Sequence, residues 1–326
     1  MWAFLTRRFL YMVLLILVTS MVSFVIIQLP AGDYITTLAV RYAATGQVVE
    51  QEVLDALRIQ FGLDQPVYIQ YFKWFTNVLQ GDLGWSFQQV RPVSELVAER
   101  IGVTALISIC SLTFAYVVGI LIGVVSAVFQ YSVLDYFFTI VGFLGLASPN
   151  FLLALILMVI IFNAGGAVGG LYSTEYLNAP WSWAKFLDLL KHIPLPMIIV
   201  GTAGTAGVAR VMRATLLDEL QKQYVVTARS KGVAEIRLLF KYPIRVALNP
   251  ITSTIGWELP AIVSGTVITD MVLQLPTVGP MLFSALVAED MFIASSLLLF
   301  LTSLTVIGTF VSDILLYSLD PRIRVN

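Results

Sequence analysis

Few side chains in this sequence have the types and spacing that catalysis requires. The single histidine, His192, argues against a histidine-based metal site, and the single cysteine, Cys110, allows no intrachain disulfide. No Walker-type phosphate loop, Gly-x4-Gly-Lys-Ser/Thr, occurs, and the glycine-rich stretch 165–170 contains no lysine. No nucleophile, base and acid stand in a catalytic pattern. We therefore expect a chain that is not an enzyme by itself and that binds no metal.

The segment Gln223–Gly232 has the composition of a docking surface. It is basic, of loop size, and lies between two long apolar runs. Ala228 and Gly232 are four residues apart, which predicts one shallow helix face of small residues against which another protein can pack. Gly232 is expected to end this helix in a left-handed conformation, with a second short helix over Ala234–Phe240. The alternative is an ordinary basic loop that only sets membrane topology.

The elements around this segment belong to a membrane protein. Hydrophobic residues make up 58% of the chain and charged residues only 12%, whereas a soluble globular protein carries roughly 25% charged residues. A helix needs about 20 apolar residues to cross the hydrocarbon core. Six such runs predict an all-α polytopic protein with spans at Phe9–Leu29, Ile101–Phe129, Tyr136–Phe162, Ile193–Val211, Val246–Met271 and Met291–Tyr317.

The distribution of basic residues predicts the orientation of these spans. With the N terminus inside, twelve lysines and arginines lie on the cytoplasmic side and seven lie outside. Both termini are then cytoplasmic. The expected organisation is an N-terminal transmembrane helix (1–30), an extracytoplasmic insertion (31–100) and a five-helix core (101–326) that contains the cytoplasmic loop 215–245. Aromatic residues in the insertion suit either a docking floor for an outside partner or an interfacial anchor.

Polar and helix-breaking residues inside the spans are the candidates for a translocation path. Glu258 lies in the middle of the fifth span beside Pro260, where an unpaired carboxylate costs ~2.5 kcal/mol or more. It is either a cavity-wall residue or a protonated carboxyl bonded between helices. Ser148, Pro149 and Asn150 interrupt the third span, and the backbone groups freed by such breaks need partners.

Several sequence blocks together form a family pattern. They follow one another in order along almost the whole chain: Gly62–Pro66, Gly81–Phe87, Arg91–Val93, Ala147–Phe151, Arg210–Leu217, the stretch from Gln223 to Pro250, and Asp320–Arg324. This set resembles the permease subunits of ATP-binding-cassette (ABC) importers of the dipeptide/oligopeptide (peptide/nickel/opine) family. The stretch from Gln223 to Pro250 resembles the EAA-type loop by which such permeases dock on their ATPase, although Val226 and Thr227 replace its glutamate and first alanine.

The resemblance implies a type I ABC importer permease fold with partner subunits. The expected partners are a second homologous permease, two ATPase domains that bind ATP and magnesium, an extracytoplasmic solute-binding protein and membrane lipid, with no nucleic acid. The implied location is the inner membrane. The loop residues expected to couple to the ATPase are Asp218, Gln223, Tyr224, Thr227, Ala228, Arg229, Lys231 and Gly232.

The substrate is less narrowly specified than the family. Di- and oligopeptides are the first expectation, and oligosaccharides, opines or nickel complexes are the alternatives within the class. Two readings from other classes are an ion-coupled secondary transporter with Glu258 as its proton site and a membrane scaffold without an ATPase partner.

Overall fold

The computed structural model describes residues 2–28, 34–44, 50–86, 88–166, 168–177 and 179–319. Fifteen α-helices succeed one another along these residues. They are α1 Trp2–Ile27, α2 Tyr34–Ala44, α3 Gln51–Phe61, α4 Val67–Leu79, α5 Val93–Val128, α6 Val133–Ala147, α7 Asn150–Asn163, α8 Trp183–His192, α9 Pro194–Leu220, α10 Gln223–Ser230, α11 Glu235–Lys241, α12 Pro243–Gly265, α13 Val267–Val272, α14 Val278–Val287 and α15 Met291–Leu319.

Length and composition identify the helices that could cross a membrane. Four stretches of the described chain qualify: Thr6–Val25, Val93–Val128, Trp183–Leu220 and Met291–Ser312. The pair α6 and α7 forms a fifth if the two helices are counted as one span, and they meet at an angle of 107°. The break predicted at Pro149 is confirmed, because Pro149 stands between the two helices and lacks the N–H that a continuous helix would use.

The predicted fifth span is less apolar than the others. α12 with α13 covers the predicted range, yet α12 does not meet the hydropathy criterion that the other spans meet. Asn249, Glu258 and the polar run Thr252–Thr254 lower its hydropathy. These polar groups need partners other than lipid, which makes α12 a helix suited to a protein interior or a cavity wall.

Three helices extend further than their apolar runs predict. α1 begins at Trp2, so Arg7 and Arg8 lie inside the helix rather than before it. α5 begins at Val93 rather than near Ile101, and α9 continues past Val211 to Leu220. Charged side chains near a span mark the edge of the hydrocarbon layer, but they do not end the helix, because its backbone hydrogen bonds continue into water.

Residues 2–104 and 276–306 form one compact unit. Its aromatic core consists of Phe24 from α1 with Tyr71 and Trp74 from α4, and Phe292 from α15 packs against it. The periodic stretches Glu52–Phe61 and Val67–Leu79 predict helices, and the structure confirms them as α3 and α4.

The described residues of 105–275 form the second unit, together with residues 307–319. α9 lies at its centre and packs against α5, α6, α7 and α12. Close approach to α5 depends on glycine: a Cβ at Gly201 would lie 2.7 Å from the ring of Phe114, and one at Gly123 would lie 2.5 Å from Cβ of Met212. Small residues on the fourth span, including Gly201 and Gly204, predict a face that another helix can approach closely, and the structure confirms this at Gly201.

Some predicted motif residues lie outside the described residues. The C-terminal stretch Asp320–Arg324 belongs to this group, as does Phe87. Pro260 lies within α12, but its side chain is outside the described part of the chain.

Candidate functional site

Two short helices, α10 and α11, form the segment between α9 and α12, and a tight turn at Gly232 joins them. The N–H of Gly232 donates to the carbonyl of Arg229 (3.0 Å), and that of Val233 donates to the carbonyl of Ala228 (3.3 Å), which is a Schellman turn. Gly232 has φ = 76°. The predicted left-handed cap is confirmed, and the second helix begins one residue later than predicted, at Glu235.

A small apolar core holds the two helices together. Val225 on α10 and Leu238 on α11 are completely buried, and Ala228 belongs to the same cluster. The expectation that Ala228 and Gly232 share an exposed face is therefore wrong. Ala228 is small because it lies inside the helix pair, and Gly232 lies beyond the end of α10, where helical spacing no longer applies.

Large apolar side chains are exposed on the outward surface of the pair, beside charged ones such as Arg237 and Lys241. Ile236 and Phe240 are one helical turn apart on α11, and their side chains are 74% and 69% exposed. Tyr224 and Val226 on α10 are also exposed. Large apolar side chains grouped on one exposed element indicate an interaction surface. The sequence signal for this face was the i, i+4 spacing of Ile236 and Phe240.

Polar contacts fix the orientation of the pair. The guanidinium of Arg229 donates to both carboxylate oxygens of Glu235 (2.6 and 3.2 Å), which joins α10 to α11. This contact lowers the pKa of the Glu235 carboxyl and raises the pKa of Arg229. The Tyr224 hydroxyl donates to the Glu219 carboxylate, which joins α10 to the end of α9. Partial burial, followed by this hydrogen bond, raises the pKa of Tyr224.

The other predicted coupling residues are exposed on the same segment. Gln223 begins α10, and its carbonyl accepts a hydrogen bond from the Thr227 hydroxyl (2.8 Å), while Lys231 follows the last residue of the helix. Asp218 is placed differently from the prediction. The pattern from Thr215 to Gln223 predicts a helix with Asp218 and Glu219 near its start. In the structure Asp218 lies in the last turn of α9, where the helix dipole disfavours negative charge.

The residues predicted to line a path are partly brought together. Asn150, the first residue of α7, and Glu258 in α12 line one cavity of about 140 Å³ together with Tyr116 and Thr266. Glu258 is half-buried. Ser148 and Pro149 lie at the bend between α6 and α7 and do not line this cavity. The cavity thus presents a carboxyl, an amide and a phenol among mostly small and apolar lining residues.

The model of the family described as "binding-protein-dependent transport system inner membrane component" matches residues 119–325, and the model of this family's N-terminal part matches residues 1–109. The chain belongs to this family. It is 35% identical to the oligopeptide transport system permease protein AppB of Bacillus subtilis, over 99% of this chain and all of the relative. A putative peptide permease of Brucella suis is 34% identical over 96% of each chain. The glutathione transport system permease GsiC of Pectobacterium atrosepticum is 31% identical over 98% of this chain and 97% of the relative.

Family membership makes the chain a multi-pass membrane permease component.

The ion pair between Asp135 and Arg213 is a feature that the sequence did not predict. Arg213 on α9 donates from Nε and Nη2 to the two carboxylate oxygens of Asp135, both at 2.8 Å. Asp135 also accepts from the backbone N–H of Tyr131. The turn between α5 and α6, which contains no basic residue of its own, is thereby tied to a positive charge on α9. The available signal was an aspartate standing alone at the start of an apolar run.

Proposed function

We propose that this chain is one of two permease subunits of an ATP-driven importer and that it encloses part of a path for peptides. The observation that carries the proposal is the α10–α11 pair. Its two short helices are fixed to each other by a buried core and tied to α9, and large apolar side chains are exposed on it. Such a pair can transmit a displacement, because packed helices move as one body. The peptide assignment comes from the relatives, which are described as oligopeptide, peptide and glutathione permeases.

In the proposed arrangement the chain crosses the inner membrane six times, with both termini in the cytoplasm. Length and composition support five of these spans if α6 and α7 count as one, and α12 is the sixth. Its polar residues support this role, since Glu258 faces a cavity between helices rather than lipid. Residues 31–100 are then extracytoplasmic and receive the solute-binding protein.

The partners follow from this arrangement. Two ATPase domains bind ATP and magnesium and contact the α10–α11 pair of each permease subunit. The second permease subunit is a homologous chain. Closure of the ATPase domains pulls on α10–α11, and α9 carries the displacement to the helices around the path.

The substrate is tested by reconstituting the complete complex in liposomes and measuring ATP hydrolysis and uptake. The solute-binding protein is added empty, loaded with a mixture of di- and oligopeptides, or loaded with oligosaccharides. We expect hydrolysis and uptake to rise with the peptide-loaded form only. Stimulation by the oligosaccharide-loaded form alone would show that the substrate is an oligosaccharide rather than a peptide, and the importer function would still hold. The absence of any ATPase subunit from the purified complex would refute the importer function itself.

The path is tested at Glu258. Glu258→Lys reverses the charge in the cavity that Asn150 also lines, so we expect uptake to be lost while the ATPase subunits still co-purify. Glu258→Gln keeps the size and hydrogen-bonding capacity and serves as the matched variant. Wild-type uptake by Glu258→Lys would contradict a position on the path.

A further inference from the structure

A cavity of about 450 Å³ between α5, α6 and α9 has no part in the proposed coupling or path. Its volume lies within the ~300–1,000 Å³ range of ligand pockets. Most of its lining is aromatic or aliphatic, including Phe114, Ile122, Phe138 and Phe143. Its polar groups include the Asp135–Arg213 pair at the α5–α6 turn and a second arginine, Arg210. The cavity is therefore amphipathic along its length.

The two arginines of this cavity differ in what neutralises them. Arg213 is bound by both oxygens of Asp135. Arg210 is exposed, and among the described residues no carboxylate lies within ion-pair distance of it; its guanidinium lies 5.2 Å from the ring centroid of Phe143. In the proposed orientation Arg210 lies near the cytoplasmic end of the span, where basic side chains attract anionic head groups. Arg210 thus offers a positive charge at the wall of an apolar cavity.

The surface of α6 next to the cavity indicates which anion fits. Tyr136, Ile140, Phe143 and Leu144 are each between 57% and 62% exposed. In a membrane component such a surface is covered by acyl chains or by another apolar helix. A peptide would leave its backbone polar groups unpaired against this face, which argues against a peptide site.

We propose that this cavity binds an anionic phospholipid. The phosphate contacts the guanidinium of Arg210, and one acyl chain lies along Phe138 and Phe143. Basic pockets between transmembrane helices are known to bind anionic head groups, and the aromatic lining supplies the apolar contact for the chain. In the proposed orientation this lipid belongs to the cytoplasmic leaflet, at the same end of α9 as the coupling pair.

The test measures which phospholipids the complex retains. The full complex is purified in mild detergent after exposure to equal amounts of phosphatidylglycerol and phosphatidylcholine, and bound lipid is counted by native mass spectrometry. We expect wild type to retain more phosphatidylglycerol than phosphatidylcholine. In Arg210→Gln the ratio of the two retained lipids should fall about fivefold, which is the effect of one basic side chain near an anionic head group. Arg7→Gln is the matched control, because Arg7 also lies over an aromatic ring, Tyr11, but outside the cavity.

A second variant tests the apolar part of the site. Gly142 lines the cavity, and a Cβ there would make an ordinary contact, 3.6 Å, with Ala206. Gly142→Leu should therefore fill space that the acyl chain needs and should reduce retention of both lipids. Equal phosphatidylglycerol preference in Arg210→Gln and Arg7→Gln would overturn the proposal. Cross-linking of Phe143→Cys to the second permease subunit would also overturn it, because a protein helix would then occupy the cavity.

Discussion

Replacing Gly232 with alanine isolates the backbone geometry on which the α10–α11 turn depends. An ideal Cβ at Gly232 meets no atom within 4 Å, so alanine adds no clash. The cost is conformational, because φ = 76° lies in the left-handed region, which a residue with a Cβ adopts at about 1–2 kcal/mol. That corresponds to a factor of about 5–30 in the ratio of ordered to open turn.

Two variants make this prediction specific. Gly232→Asn should be milder than Gly232→Ala, because asparagine tolerates the left-handed region. Gly207→Ala is the matched control: Gly207 also has open space around its Cβ position, but it lies inside α9 with ordinary helical geometry. Alanine there should be neutral or stabilising.

The assay is hydrogen exchange of α10 and α11 in the purified complex, read with co-purification of the ATPase subunits. We expect faster exchange and weaker ATPase retention in the order Gly232→Ala, Gly232→Asn, wild type. Equal exchange rates in Gly232→Ala and Gly207→Ala would mean that the left-handed cap at Gly232 does not hold α10 and α11 together.

Three further outcomes are expected. Asp135→Asn leaves the Arg213 guanidinium, which is 31% exposed, without its charged partner and should cost about 1–3 kcal/mol, measured by thermal unfolding in detergent; an unchanged midpoint would show that the pair contributes nothing. Ala228→Leu overfills the core with Leu238 and should cost about 1–3 kcal/mol and weaken ATPase retention, whereas wild-type retention would argue that the core is plastic. The pKa of the Glu235 carboxyl is lowered, so its pairing with Arg229 is complete above the ordinary carboxyl pKa and is lost only as pH falls through the lowered value. Between pH 6 and 8 this pair should therefore cause no pH dependence of ATPase retention. A loss of retention in that interval that Glu235→Gln abolishes would contradict this assignment of the pair.

Local signals predicted the elements that depend on local geometry. The bend after α6 follows from Pro149, which cannot donate a backbone hydrogen bond, and the end of α10 follows from Gly232, which can adopt positive φ. α3 and α4 follow from their amphipathic periodicity. In each case the deciding residues lie within one or two turns of the feature.

Contacts between distant residues could not be predicted in the same way. The fourth span was expected to end near Val211, but α9 continues to Leu220. Arg213, beyond that point, pairs with Asp135, 78 residues earlier in the chain. Ala228 was read as a surface residue because its small size suits either a docking face or a tight interior. Only the position of Leu238 on the next helix distinguishes the two. Composition and spacing contain no information on such pairings.

The coupling role of α10–α11 is tested most directly by cross-linking at Ile236. In a Cys110→Ser background, Ile236→Cys places a thiol at a site that is 74% exposed on α11, and Leu79→Cys places one at an equally exposed site on α4. We expect a short bifunctional reagent to join the Ile236→Cys variant to an ATPase subunit and to leave the Leu79→Cys variant unlinked to it. The absence of an ATPase cross-link at Ile236→Cys in an active complex, or an equal yield at both positions, would mean that α10–α11 does not couple to the ATPase.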